Sequence, residues 1–129
     1  MILDTSALAA IFFGEPEAAR FTQLIHDAER CFISAANFVE LSIVLETQAG
    51  TAAIRQCEVF FRSAGVVIEP VTVDQAYLAA QAFHDFGKGR HPAGLNFGDC
   101  FAYALAKVLR EPLLFKGDDF RKTDLILGV

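Results

Sequence analysis

The strongest constraint on the fold is an alternation along the whole chain: short apolar runs ending in a polar or turn-forming residue, separated by longer stretches of helical periodicity. The runs MILD at residues 1–4, CFIS at 31–34, VVIEP at 66–70 and PLLF at 112–115 are too short for helices and read as buried strands. DLIL at 124–127 reads as a last strand. Helices are expected over 7–13, opened by Thr5 and Ser6 and closed by Gly14, and over 15–29, 35–48, 51–64, 72–86 and 96–109, with a helical turn over 118–121. Thr72 with Gln75 has the capping-box spacing that opens a helix. GKGRHPAG at 87–94 is a Gly/Pro-rich, basic loop. Parallel neighbours need a crossover, usually a helix, so this order predicts an α/β fold with a central parallel sheet of about 4–5 strands flanked by helices. Ligands of such sheets bind beyond the carboxyl ends of the strands.

A chain of 129 residues, 53% hydrophobic, has room for one domain with a sizeable core, expected to span residues 1–129. No apolar run approaches the ~18 residues of a membrane span, and no basic segment with an apolar run behind it opens the chain. The expectation is a cytoplasmic protein. Three cysteines, Cys31, Cys57 and Cys100, form no C-x-x-C pair and fit small buried hydrophobes in a reducing compartment. The net charge of −5 weighs against nucleic acid as a partner. That objection weakens if several acids hold divalent cations, which would reverse the local field.

Acidic residues stand where the predicted architecture would gather them. Asp4 ends the first strand, and Thr5 and Ser6 follow it with hydroxyls suited to holding a water, although Asp-Thr-Ser is also a helix-capping sequence. Glu40 lies mid-helix with Ala36, Ile43 and Val44 as its helical neighbours, an apolar face on which an unpaired charge is costly. Asn37, one turn earlier, could donate a hydrogen bond there. Asp99 sits three residues after Asn96, as in a capping box, but opens a helix that is apolar nearly all round. Asp118 and Asp119 follow the fourth strand and Gly117, and the sequence leaves open which of them faces the others, Asp118 lying nearer the strand end. Asp124 reads as structural. Hard oxygen ligands with no accompanying His or Cys cluster select Mg²⁺ or Mn²⁺. Such a site suits attack of activated water on a phosphodiester. No G-x-S-x-G and no plausible triad offers a covalent route. Lys88, Arg90 and His91 in the basic loop and Lys116, Arg121 and Lys122 around the Asp118 turn could rim the crevice and meet phosphates.

Four segments in order, MILDTSAL at 1–8, NFVE at 37–40, LNFGDCFAYALA at 95–106 and PLLFKGDDF at 112–120, resemble the motifs of PIN-domain ribonucleases. The likeness is greatest to VapC-type toxins of bacterial toxin–antitoxin pairs. The resemblance spans the chain and implies a PIN-like three-layer sandwich that hydrolyses RNA with Mg²⁺ or Mn²⁺. It implies Asp4 and Asp99 as principal metal ligands, with Glu40 and an aspartate near residue 118 completing an acidic pocket. It also implies a VapB-type antitoxin as partner, a homodimer, and a heterotetramer or larger assembly with the antitoxin. Two other readings compete. One is a metal-dependent phosphatase on a Rossmann-like sheet, for which residue 6 should be Asp but is Ser. The other is a non-catalytic PIN-like binding module.

Overall fold

Side chains of a strand alternate between the faces of its sheet, so a strand that is apolar at every position needs cover on both sides. That rule organises the computed structural model, which describes residues 1–129. Four parallel strands, β1 (Ile2–Leu3), β2 (Cys31–Ser34), β3 (Val66–Glu69) and β4 (Leu113–Leu114), lie in the order β3-β2-β1-β4. The register pairs Ile2 with both Phe32 and Leu113.

Leu3, Ile33 and Leu114 face a core filled by Leu8, Phe21, Ile25, Leu41, Leu45 and Phe61, carried by α1 (Thr5–Phe12), α2 (Ala18–Asp27), α3 (Ala35–Ala49) and α4 (Thr51–Ala64). Ile2, Leu113 and Phe115 face a second core with Ala79, Ala82, Tyr103, Leu105 and Phe120, built mainly by α5 (Val73–Phe86) and α6 (Phe97–Leu109). Each buried Leu, Ile or Phe contributes about 1.5–3 kcal/mol, so the sheet is fixed from both faces. This is the expected three-layer sandwich, with four strands. All three cysteines are free and buried. No helix is long and apolar enough to cross a membrane.

Two elements differ from the sequence reading. The helix expected from Glu15 begins at Ala18, after a turn closed by the Ala18 N–H on the Glu15 carbonyl at 2.9 Å. The strand expected over 124–127 shrinks to a bridge between Leu113 and Leu127. The two-residue β4 offers little edge: the Leu113 N–H reaches the Ile126 carbonyl at 3.0 Å, and its carbonyl takes the Gly128 N–H at 2.8 Å.

The strand order positions the site. From β1 the chain moves outward to β2 and β3, then crosses back to place β4 on the other side of β1. The direction of winding therefore reverses at β1, and the carboxyl end of this central strand is the switch point at which ligands of such sheets bind. Asp4 is the residue that ends β1.

Candidate metal centre

Asp4 continues the sheet by one bond, its N–H reaching the Leu114 carbonyl at 3.0 Å, and then caps α1. Its Oδ2 accepts the Ser6 N–H at 3.0 Å and the Ser6 hydroxyl at 2.6 Å. Ser6 Oγ in turn accepts the Lys116 N–H at 2.9 Å, which ties the end of β1 to the segment leaving β4. The residue is only 3% exposed, and Oδ1 is buried with no hydrogen-bond donor. Burial raises the pKa of this carboxyl, the two Ser6 bonds oppose the rise, and the charge of Glu40 adds to it. Half of the carboxylate is thus satisfied by the protein and half lacks a partner.

Glu40 comes from α3, which Ser34 opens by accepting the Ala36 N–H at 3.3 Å. Its Oε1 accepts the Thr5 hydroxyl at 2.5 Å and, at 3.4 Å, the amide of Asn37 one turn earlier. The same amide donates to the Gly98 carbonyl at 2.9 Å, joining α3 to the first turn of α6. Asn37 Oδ1 is a second buried oxygen without a donor. The glutamate expected to need a partner has one in Thr5. The hydroxyls expected to hold water are directed instead at carboxylates, Thr5 at Glu40 and Ser6 at Asp4.

Asp99 both caps and crowds. It forms the reciprocal capping box with Asn96, accepting the Asn96 N–H at 3.0 Å while its own N–H reaches the Asn96 side chain at 2.9 Å. Its pKa is nevertheless pushed up to about 7, chiefly by burial and further by the charges of Asp4, Asp119 and Glu40, against the lowering effect of the Asn96 bond. The charges of Asp4, Glu40 and Asp119, carried by distant segments, therefore all bear on Asp99. As the side chains lie, no three of them form a group able to hold an ion. The chemistry of the set still fits a hard cation: every donor is oxygen, two buried oxygens lack a partner, and the repulsion is what a cation relieves.

The pair after β4 separates. Phe120 is buried against Phe115, ring centroids 5.2 Å apart, in a short 3₁₀ turn over Asp119–Lys122. With three residues per turn, Asp118 eclipses Arg121 and lies 3.7 Å from it, its side chain 83% exposed. Asp119 is the aspartate whose charge reaches Asp99. Asp124 is structural in its contacts, accepting the Tyr103 hydroxyl at 2.7 Å and Lys107 Nζ at 2.9 Å.

A scan against protein-family models matches the PIN domain over residues 1–125. The chain belongs to the PIN-domain family. Among curated relatives of this PIN-domain chain, ribonuclease VapC28 of Mycobacterium tuberculosis is 48% identical over 124 residues, covering 95% of this chain and 93% of that protein. Ribonuclease VapC of Mycolicibacterium smegmatis is 46% identical over 125 residues, covering 97% of each. Identity at that level over nearly full length places the chain with the VapC ribonucleases. The crystal structure of Mycobacterium tuberculosis VapC20, described as a sarcin–ricin-loop-cleaving toxin, superposes with a TM-score of 0.78 at 20% identity, over 97% of this chain and 95% of that one. This likeness supports the PIN fold.

The basic residues of this PIN-domain chain divide into free and engaged. Lys88 and Arg90 are exposed. Lys116 Nζ is held by Glu15 and, at 3.4 Å, by Glu17. Arg121 pairs with Asp118 and lies over the Phe115 ring, 5.6 Å from its centroid. The Gly/Pro-rich loop is tied down: the Lys88 N–H bonds the Leu95 carbonyl and the Leu95 N–H the Phe86 carbonyl, both at 2.9 Å. His91 turns inward within that loop, Nδ1 accepting the Ala93 N–H at 3.0 Å. Lys122 reaches the Pro92 carbonyl at 3.4 Å, so the loop and the 3₁₀ turn are neighbours. The residue that the sequence reading passed over is Gly98, whose Cα lies against the Glu40 carboxylate. Its only signal was a glycine inside a helical pattern.

Proposed function

We propose that this chain is a divalent-cation-dependent ribonuclease acting as the toxin of a toxin–antitoxin pair, with Asp4, Glu40, Asp99 and Asp119 holding Mg²⁺ or Mn²⁺. The observation that carries the reading is the convergence of these carboxylates at the switch point, with Asp4 Oδ1 buried and unpartnered. Asp119 replaces Asp118 in this set because, of the two exposed aspartates, Asp119 is the one whose charge reaches Asp99, while Asp118 lies beside Arg121.

When bound, such an ion supplies Lewis-acid stabilisation of phosphate charge and makes water more acidic. The protein's own part is preorganisation. Ser6 fixes Asp4 in one rotamer, Thr5 and Asn37 fix Glu40, and Asn96 fixes Asp99 while leaving its Oδ1 available. Lys88 and Arg90, with Arg121 exchanging Asp118 for phosphate, would steer the RNA backbone toward the acids, while Lys116 serves Glu15 and Glu17. The net charge of −5 accords with this division, since part of the negative charge belongs to the ion site.

Residues 1–129 act as one domain in this reading, in the cytoplasm. The partners are a VapB-type antitoxin covering the crevice and a second copy of the chain, giving a heterotetramer or larger complex. No observation favours a phosphatase: residue 6 is Ser, and it is spent on Asp4 and Lys116. None favours a non-catalytic module either.

The test is Asp4→Asn. Cleavage of structured RNA in saturating Mg²⁺ or Mn²⁺ should fall by more than about 100-fold, beyond the roughly 10–100-fold cost of disturbing residues that merely support a metal ligand. Circular dichroism should show the fold retained. Cleavage at the wild-type rate by the variant, with metal saturating, would refute the assignment.

A further inference from the structure

Glycine is a costly residue inside a helix, and Gly98 occupies the second position of α6, a helical conformation that any residue adopts freely. A Cβ there would meet the Glu40 carboxylate, 2.7 Å from Cδ and 2.8 Å from Oε1, and closer still to Oε2. No other part of the protein crowds that position more tightly. The obstruction is the far end of a flexible side chain, so an added methyl would leave the backbone in place and push the carboxylate aside. Glu40 can move only by giving up the Thr5 hydroxyl at 2.5 Å and the Asn37 amide at 3.4 Å. The Gly98 carbonyl also receives the Asn37 amide at 2.9 Å, so one residue sets both how near α3 lies to α6 and where its glutamate rests.

We infer that Gly98 is a positioning residue for Glu40: the missing side chain lets the Glu40 carboxylate lie against the first turn of α6, next to Asp99, where the ion site needs it. This rests on the cation-dependent reading above. Gly98 touches neither substrate nor ion and acts through Glu40 alone. The placement also sets a negative charge at the amino end of α6, where the helix dipole favours it.

The experiment compares wild type, Gly98→Ala, Glu40→Asp and the double variant by three measurements: melting temperature in EDTA, Mn²⁺ affinity by calorimetry, and RNA cleavage. Gly98→Ala should melt within about 5 °C of wild type, because the gain from alanine as the better helix former offsets part of the hydrogen bonding that Glu40 gives up. Its Mn²⁺ affinity should nevertheless fall by about 10-fold or more, as expected when a ligand loses its orientation, and cleavage should fall in parallel. Shortening the acid by one methylene makes room for the methyl. The double variant should therefore bind Mn²⁺ at least about 5-fold better than the product of the two single effects. A Gly98→Ala protein that binds Mn²⁺ like wild type, or that melts well below it, overturns the inference, the second result showing a packing role instead. Additive single effects overturn it too. If wild type itself binds no divalent ion and cuts no RNA, the failure lies with the proposed function instead.

Discussion

Replacing Asp99 with Asn should make the metal-free protein more stable at pH 8. The carboxyl is raised from its ordinary 3.8 to about 7 by burial and by Asp4, Asp119 and Glu40. At about 1.4 kcal/mol per unit, that displacement corresponds to roughly 4 kcal/mol in a shielded site. Solvent reaching the crevice screens it to about 2 kcal/mol. Asparagine keeps an oxygen to accept the Asn96 N–H, so the cap survives, and the loss of a negative charge from the first turn of α6 costs about 0.5 kcal/mol. The net gain is about 1.5 kcal/mol at pH 8.

The pH dependence has a fixed sign. A folded-state pKa above the unfolded value means that the native protein binds the proton more tightly. The wild type therefore holds the full benefit below pH 3.8 and loses it as pH rises to about 7. The advantage of Asp99→Asn should be largest at pH 8 and vanish near pH 4. Urea unfolding in EDTA at both pH values measures it. Saturating Mg²⁺ should reverse the order, since ion at 100 times its dissociation constant stabilises wild type by about 2.7 kcal/mol. A variant less stable than wild type at pH 8 in EDTA, or a gain equal at both pH values, would show that the carboxylates do not crowd.

Asp119→Asn should lower RNA cleavage by about 10-fold or more while Asp118→Asn stays within about 2-fold, measured at equal Mn²⁺ occupancy; the opposite ranking would return the role to Asp118. Thr5→Val keeps the shape of Thr5 but removes the donor to Glu40. Calorimetry should find Mn²⁺ affinity about 10-fold weaker, and an unchanged value would mean that Glu40 needs no support. Tyr103→Phe removes the donor to Asp124 and should cost about 1–2 kcal/mol in urea unfolding, with RNA cleavage unaffected because neither residue bonds any of the acids assigned to the ion.

What the sequence disclosed follows from how local each signal is. Strand apolarity and helix caps are properties of a few adjacent residues, so β1, β2 and β3 and the ends of α4 and α6 were legible almost to the residue. The burden on Glu40 was legible because helical periodicity alone puts it beside Ile43 and Val44. The choice between Asp118 and Asp119 was not, because it depends on where Phe120 finds a buried place beside Phe115, a contact made only in the folded chain. The last strand failed for a similar reason: DLIL has the composition of a strand, but two-residue β4 gives it one residue to pair with. Gly98 stood in plain view as a helix glycine, yet its neighbour Glu40 is 58 residues earlier in the chain.

The central place of β1 has a temporal consequence. Residues 2 and 3 are made long before residues 113 and 114, and until these arrive one of their flanks stays bare. Asp4 and Asp119 both act on Asp99 only once the long segment between them has been made. A nascent chain that stops short of β4 therefore carries the acid of β1 without its counterpart, and the acidic cluster assembles only after β4 has joined the sheet.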